Sequence, residues 1–319
     1  MPIQSIVRRL RARAVHQRNR TQLKRKEPLP ALHNRRTTKQ RRLAIATRYK
    51  DVYYRVSRAG FGSILVTCFM SWMFARRSGK QLSVTQTPNI ISRSFRIFSH
   101  AFSFPRSVRI KGAKAGKGRL NSIYHPVIRR ACKRLGWKRL WKMSRQFFHL
   151  RPNTTRRVVK LNRREFQVNR FDIGLHIRRG DKRKEKQTRL QPSSVYLRAF
   201  QALRRKIPKA VANVYIATDD GRWVRPLINT ITRRGDHVFI QGTSRSTRGF
   251  QGDKFQRNKN HRKKIKAYDI WVRDLWNLIH CRYVIATGSS NMGVLVELMH
   301  PGNRRRNVVR LLDRPYTRW

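Results

Sequence analysis

The chain has 319 residues, of which 39% are hydrophobic, so it is long and apolar enough to bury the core of one large or two medium domains. This composition excludes a disordered polycation, although 77 Lys and Arg residues against 14 Asp and Glu residues give a formal net charge of +63. Such an excess favours association with polyanions, which makes nucleic acid a partner to consider.

The first 50 residues are the most strongly basic part of the chain. They contain sixteen Lys or Arg residues and a single acid, Glu27, and they show no sustained apolar period. This pattern predicts a flexible basic arm over residues 1–45. The other 61 basic residues are spread over 269 positions, whereas a dedicated nucleic-acid surface is more local. Two explanations of the charge are therefore equally good, namely binding to polyanions and a general bias of the source's proteins toward basic residues.

An N-terminal α/β lobe is predicted over residues 46–165. The segment DVYYRV, a glycine-containing loop, a helix over residues 63–74 and the segment QLSV follow one another in the order typical of an α/β unit. The uncharged run of residues 60–75 is shorter than the ~20 residues that a membrane-spanning helix needs, so we interpret it as a buried helix. Residues 90–170 show helical spacing in places and no predicted strand.

A second α/β lobe is predicted over residues 166–319. From Phe171 onward, short apolar runs alternate with helical segments, which indicates a parallel sheet covered by helices on both faces. One helix is predicted to start near Pro192, and another is predicted over residues 267–279. The predicted strands are DIGLHI, NVYIA, HVFI, RYVIA and NVVRLL.

Polar clusters directly follow four of these strands, namely RRGDK, TDD, QGTS and TGSS. Ligands of open α/β sheets bind at the carboxyl ends of the strands, so these clusters are expected to share one crevice. Arg178 and Arg179 offer forked donors suited to a diphosphate. Ser289 and Ser290 precede a helix whose free N–H groups favour an anion. The clusters together predict a nucleotide site.

Each cluster also fits a purely structural role. An arginine pair is commonly a solvated surface in so basic a chain, and Asp181 could simply pair with it. The TDD cluster could be a turn at a strand end, and the serine pair could be a plain helix cap. His176 alternates with the apolar residues of its strand and could be a satisfied core histidine.

Asp274 lies on the apolar stripe of its predicted helix, between Trp271 and Leu278. A carboxylate that faces a core needs a partner. The edge of a guanine base offers two parallel donors to such a carboxylate. An internal ion pair with an arginine is the equally good alternative.

In this order, the motifs resemble those of the α1,6-fucosyltransferase family, whose members fucosylate the core of N-glycans or chitooligosaccharides. The likeness spans roughly residues 55–300 and includes a Gly-rich loop before the first predicted helix. The residues that carry it are His176, Arg178, Arg179, Asp181, Lys182, Glu185, Tyr196, Thr218, Asp219, Asp220, Asp274, Ser289, Ser290 and Glu297.

The resemblance implies a GT-B fold of two Rossmann-like lobes, with GDP-fucose bound by the C-terminal parallel sheet and the acceptor on the N-terminal side. It further implies an inverting transfer to an N-acetylglucosamine-containing glycan without a metal or other cofactor, and a Golgi or secretory location. The implied catalytic residues are Arg179 and Arg178 at the diphosphate and Glu185, or else Asp181, as the base. The implied donor-binding residues are His176, Lys182, Tyr196, Asp219, Asp220, Asp274 for guanine, Ser289, and Ser290 for phosphate.

Three other functions remain open from the sequence. The charge would suit a polyanion-binding protein on a degenerate transferase fold. A protein O-fucosyltransferase-like enzyme would use the same donor. A metal-dependent glycosyltransferase could use Asp219 and Asp220 as ligands, but adjacent Asp residues are weak evidence for a metal.

Overall fold

The computed structural model describes residues 51–55, 61–85, 101–111, 135–179, 190–241 and 261–313. The chain divides into residues 1–50 and a compact unit of residues 51–319. The predicted basic arm lies outside the described residues. The predicted lobe boundary between residues 165 and 166 stays a prediction.

The N-terminal part of the compact unit contains a three-stranded parallel sheet. Its strands β1 (Asp51–Arg55), β2 (Gln81–Thr85) and β4 (Val108–Lys111) lie in the order β1-β2-β4, and helix α1 (Phe61–Arg77) connects the first two. Residues 64–73 of α1 are buried along their whole length, because this segment is apolar on all sides. The run of residues 60–75 therefore contributes a core helix, as predicted.

Short elements link the two larger sheets. Strand β3 (Phe102–Ser103) pairs antiparallel with β5 (His149–Leu150), and helices α2 (Trp137–Phe147) and α3 (Pro152–Phe166) flank β5. The prediction of no strand between residues 90 and 170 was wrong, since β3, β4 and β5 all lie there. Strands of two to four residues are too short to show a period in the sequence.

A five-stranded parallel sheet forms the C-terminal part, in the order β10-β9-β6-β7-β8. This finding confirms the predicted α/β class and the predicted parallel sheet. Its elements are β6 (Ile173–Ile177), α4 (Ser193–Arg204), β7 (Asn213–Thr218), α5 (Gly221–Thr232), β8 (His237–Ile240), α6 (His261–His280), β9 (Tyr283–Ala286), α7 (Asn291–Met299), a short 3-10 helix (Asn303–Arg305) and β10 (Val309–Leu311).

Helices cover both faces of this sheet, which explains why its strands are continuous apolar runs. Ile216 of β7 packs with Phe200 of α4 and Leu227 of α5 on one face. On the other face, Val284 of β9 belongs to the core that contains Leu278 of α6. Within the described ranges, no helix is both long enough and apolar enough to cross a membrane.

The strand order places a crevice at the carboxyl edge of the sheet. From β6 the chain moves outward through β7 and β8, and it then returns to form β9 and β10 on the other side of β6. Because the connections that leave β6 and β9 run in opposite directions, the segments after these neighbouring strands border a crevice. The segments are residues 178–179 and 287–290.

Gly293 in the first turn of α7 packs directly against the end of β9. A Cβ atom at this position would lie 2.1 Å from the Thr287 carbonyl oxygen. We expect Gly293→Ala to lower the free energy of unfolding by about 1–3 kcal/mol, as overpacking does, although alanine favours helices. Thermal unfolding followed by circular dichroism measures the change.

Gly302→Ala is the matched control, because its nearest neighbours are side-chain atoms of His300 and Val308 at 3.4 Å. This variant should unfold close to the wild-type temperature. Equal destabilisation of the two variants would contradict the described contact between α7 and β9.

Candidate functional site

Asp219 holds the arginine pair that follows β6. Its Oδ2 lies 2.7 Å from Arg178 Nη1, and its Oδ1 accepts a hydrogen bond of 2.8 Å from the backbone N–H of Arg179. The Asp219 side chain is only 8% exposed, so this ion pair is largely shielded from water. Asp219 therefore holds both arginines at the end of β6, one through its guanidinium group and one through its backbone.

The Arg179 guanidinium group lies against the ring of Trp223, in the first turn of α5. Its Cζ is 4.0 Å from the ring centroid, and its Nη1 donates a hydrogen bond of 3.1 Å to the Gln191 carbonyl oxygen. The ring of Tyr196 meets Trp223 edge-on, with the centroids 5.9 Å apart. The side chain of Arg179 is therefore oriented by an aromatic face and a carbonyl group.

Asp220 is the N-cap of α5. Its Oδ1 accepts a hydrogen bond of 3.2 Å from the Trp223 N–H, and its own N–H donates to Thr218 Oγ1 over 3.1 Å. The TDD cluster is thus a strand-end turn, a helix cap and an arginine partner at once. Both carboxylates are engaged by donors of the chain itself, which does not favour Asp219 and Asp220 as metal ligands. No group of three His, Cys, Asp or Glu side chains among the described residues is arranged to bind a metal.

Thr287, the first residue after β9, connects three elements through its hydroxyl group. Thr287 Oγ1 accepts a hydrogen bond of 3.0 Å from the Arg178 N–H and donates one of 3.2 Å to the His176 carbonyl oxygen. It also lies 2.7 Å from the hydroxyl of Tyr196 in α4. Burial raises the pKa of Tyr196 to about 12, so the phenol keeps its proton at neutral pH and can donate to Thr287.

His176 is buried in β6 at the centre of the sheet. Burial, together with the positive charge of Arg178, lowers the pKa of its imidazole to about 3. The ring is therefore neutral at physiological pH. Its Nδ1 has no hydrogen-bond partner within the described part of the chain, so it is not a satisfied core histidine. A buried nitrogen of this kind can still bond to a ligand.

The serine pair before α7 does not act as a plain helix cap. Ser290 occupies the N-cap position, but its hydroxyl makes no capping hydrogen bond. The hydroxyl of Ser289 is buried without a hydrogen-bond partner among the residues described. The carboxylate of Asp313, which follows β10, instead accepts hydrogen bonds from the backbone N–H groups of Gly288 and Ser289.

Two helices begin side by side at this loop. Asn291 at the start of α7 donates a hydrogen bond of 2.6 Å from Nδ2 to the Ser63 hydroxyl in the first turn of α1. Gly62 permits this approach, because a Cβ there would lie 3.0 Å from Asn291 Cβ. The positive ends of α1 and α7 therefore reinforce each other next to the serine pair.

Asp274 lies in the middle of α6 and is bonded to the neighbouring sheet. Its Oδ1 accepts hydrogen bonds of 2.5 Å from the Tyr215 hydroxyl and 2.8 Å from Gln241 Nε2. Burial raises the pKa of Asp274 to about 7, against the opposing effects of these hydrogen bonds and of the Arg273 charge. Its internal partners are a phenol and an amide, so the alternative of an arginine partner was wrong. The contact with guanine stays a prediction.

Of the remaining predicted residues, three fall outside the described ranges and one lies in α7. Asp181, Lys182 and Glu185 are outside the described residues. Glu297 lies in α7 beyond its first turn, where its Oε1 is 3.6 Å from Arg306 Nε and where burial raises its pKa. We therefore assign Glu297 to the packing of α7 and not to the strand ends.

Three residues that meet at the site were missed by the sequence analysis. Thr287 belongs to the TGSS cluster, in which only the serines were singled out. Asp313 follows the last predicted strand and was detectable by the same strand-end rule as the other clusters. Trp223 gives no signal in the sequence, because its role depends on the contact with Arg179.

The raised pKa of Asp274 makes the stability of the fold depend on pH. The carboxyl group of Asp274 binds its proton more tightly in the folded chain than in the unfolded chain, where an ordinary Asp has a pKa of 3.8. Its protonation therefore stabilises the fold at low pH, and this stabilisation is lost as the pH rises through about 7. Asp274→Asn keeps an oxygen acceptor for Tyr215 and Gln241 and does not titrate. The free energy of unfolding of the wild type minus that of Asp274→Asn should fall from about pH 5 to about pH 8.

Urea unfolding followed by tryptophan fluorescence measures this difference at each pH. Subtracting the variant removes the contributions of the buried histidines, which titrate equally in both proteins. A difference that stays constant over this range would contradict the assignment.

The chain is similar in structure to solved fucosyltransferases, among them two structures of NodZ and one of Arabidopsis thaliana FUT1. NodZ α1,6-fucosyltransferase soaked with GDP-fucose matches with a TM-score of 0.49 and 16% identity over 79% of this chain and 94% of that chain. Fucosyltransferase NodZ from Bradyrhizobium matches with a TM-score of 0.48 and 16% identity over 79% and 95%. A mutant of Arabidopsis thaliana FUT1 in complex with GDP matches with a TM-score of 0.47 and 9% identity over 83% and 76%.

No family model matches the sequence, and no curated protein sequence matches it either. The fold described above rests on the strand order and the strand registers of this chain itself.

Proposed function

We propose that this chain is a glycosyltransferase that moves fucose from GDP-fucose in α1,6 linkage to an N-acetylglucosamine-containing glycan, without a metal. The observation that carries the proposal is the convergence of an arginine pair and two helix N-termini at one edge of the parallel sheet. The order of the sequence motifs selects the donor.

The arrangement suits a departing diphosphate. In a single displacement, negative charge develops on the leaving group as the bond to the sugar breaks, and preorganised cations and N–H groups stabilise it. Arg178 and Arg179 place two guanidinium groups at this strand end, one of them against the carboxylate of Asp219. The starts of α1 and α7 add backbone N–H groups. Ser289 adds a buried hydroxyl group that has no hydrogen-bond partner among the described residues.

The connection through Thr287 keeps these groups together. Its hydroxyl binds the Arg178 N–H, and the next three residues lead into α7. A diphosphate bound by the arginines would therefore lie close to Ser289 and Ser290. The neutral imidazole of His176 would supply one further hydrogen bond.

Asp274 is proposed to bind the guanine base. Its Oδ1 already accepts hydrogen bonds from Tyr215 and Gln241, so the guanine N–H groups would donate to the other carboxylate oxygen, Oδ2. Glu185 is proposed as the base that takes the proton of the acceptor hydroxyl, with Asp181 as the alternative. The acceptor would approach from the side of the N-terminal sheet.

The test is GDP release from GDP-fucose with chitooligosaccharide or N-glycan acceptors in the presence of EDTA. Wild-type protein should turn over, and Arg179→Ala should lower kcat by about 10²–10³-fold, the loss expected when one preorganised stabilising group is removed. Arg198→Ala removes an equal charge from the exposed side of α4 and should stay close to wild type.

Three results would contradict the proposal. Turnover that EDTA abolishes would contradict the metal-independent mechanism. Equal activity of Arg179→Ala and Arg198→Ala would show that the arginine pair has no part in the reaction. No turnover with either acceptor, together with tight and salt-sensitive binding of RNA, would favour the polyanion-binding function instead.

A further inference from the structure

The guanidinium groups of the two arginines contact different residues at the end of β7 and the start of α5. The guanidinium group of Arg178 lies 2.7 Å from a carboxylate oxygen of Asp219. The guanidinium group of Arg179 lies over the Trp223 ring at 4.0 Å and donates to the Gln191 carbonyl oxygen. Asp219 reaches Arg179 through its backbone N–H.

This difference has an electrostatic consequence. A carboxylate partner offsets the charge of a guanidinium group, and it would compete with a phosphate for it. An aromatic face attracts the cation through its quadrupole and carries no net charge. The ring of Trp223 can therefore fix the Arg179 side chain without itself offsetting the positive charge.

We propose that Trp223 is a positioning residue, which holds the guanidinium group of Arg179 in the orientation that binds the diphosphate of the donor. The inference rests on the proposed function. Trp223 would keep the guanidinium group of Arg179 in one orientation, because a long and flexible arginine side chain does not hold one orientation by itself.

The surrounding contacts fix the ring itself. The carboxylate of Asp220 accepts the Trp223 N–H and so sets the first turn of α5. Tyr196, which is buried, supports the ring by an edge-on contact at 5.9 Å. The TDD motif thus acts on both sides of Arg179, with Asp219 bound to its backbone and Asp220 bound to the tryptophan beneath its side chain.

The test compares two substitutions in two backgrounds. Trp223→Leu removes the aromatic face, whereas Trp223→Phe keeps one. In the wild-type background, Trp223→Leu should lower kcat in the GDP-fucose assay by about 5–30-fold, the range of a partly desolvated cation–π contact, and Trp223→Phe by less than about 3-fold. In the Arg179→Ala background, Trp223→Leu should cause no further loss, because the group it positions is gone.

Trp137→Leu is the matched control. Arg306 lies over the Trp137 ring at 4.1 Å, so this substitution also removes an arginine–tryptophan stack, but one in α2 and away from the strand ends. It should lower the unfolding temperature and leave kcat close to that of the wild type. A loss of kcat in Trp137→Leu as large as that in Trp223→Leu would overturn the proposal.

A second readout separates this inference from the transferase function. Binding of inorganic pyrophosphate is measured by calorimetry, which needs no turnover. The four proteins compared are the wild type, Trp223→Leu, Arg179→Ala and the double variant. Trp223→Leu should weaken binding by about 5–30-fold with Arg179 present and have no effect with Arg179→Ala. If pyrophosphate binds as expected but GDP-fucose is not turned over, the transferase function fails and the positioning role of Trp223 stands.

Two further results would overturn the positioning role. One is a loss with Trp223→Leu that is equally large in both backgrounds, because the ring would then act through packing and not through Arg179. The other is the absence of pyrophosphate binding to the wild-type protein.

Discussion

The ion pair between Asp219 and Arg178 is the contact on which the rest of the site depends. It joins the ends of β6 and β7, and the same carboxylate binds the backbone of Arg179, so two adjacent cations are held together despite their mutual repulsion. The pair is largely removed from solvent, where loss of one partner leaves an uncompensated charge. Thr287 then ties this strand end to β9 and α7. The proposed diphosphate site at this edge depends on these few contacts.

Several of the described carboxylates accept hydrogen bonds at the ends of strands. Asp236 is buried, where it accepts hydrogen bonds from Arg204 Nε and the Ala212 N–H, and Asp172 binds Lys209 and the Asn213 N–H. These carboxylates secure the amino ends of strands, whereas Asp219 and Asp313 secure the carboxyl ends. Buried polar groups must be paired, and these carboxylates are paired with donors of the chain itself.

The sequence predicted those features that depend on local pattern. Short apolar runs between polar segments predicted all five strands of the C-terminal sheet, and parallel strands end at one edge, which is why the polar clusters after β6, β7 and β9 were expected to meet. The adjacency of β6 and β9 cannot be read from the order along the chain, so the link through Thr287 was missed. The partners of Asp274 depend on which face of β7 meets α6. They too required the structure.

The most direct test of the account is a crystal structure of the protein with GDP. We predict that the diphosphate lies between the arginine pair after β6 and the starts of α1 and α7, within hydrogen-bond distance of Arg179 and Ser290. We also predict that the guanine base of GDP lies at Asp274. A diphosphate bound elsewhere on the protein, or no bound nucleotide at saturating GDP, would contradict the account.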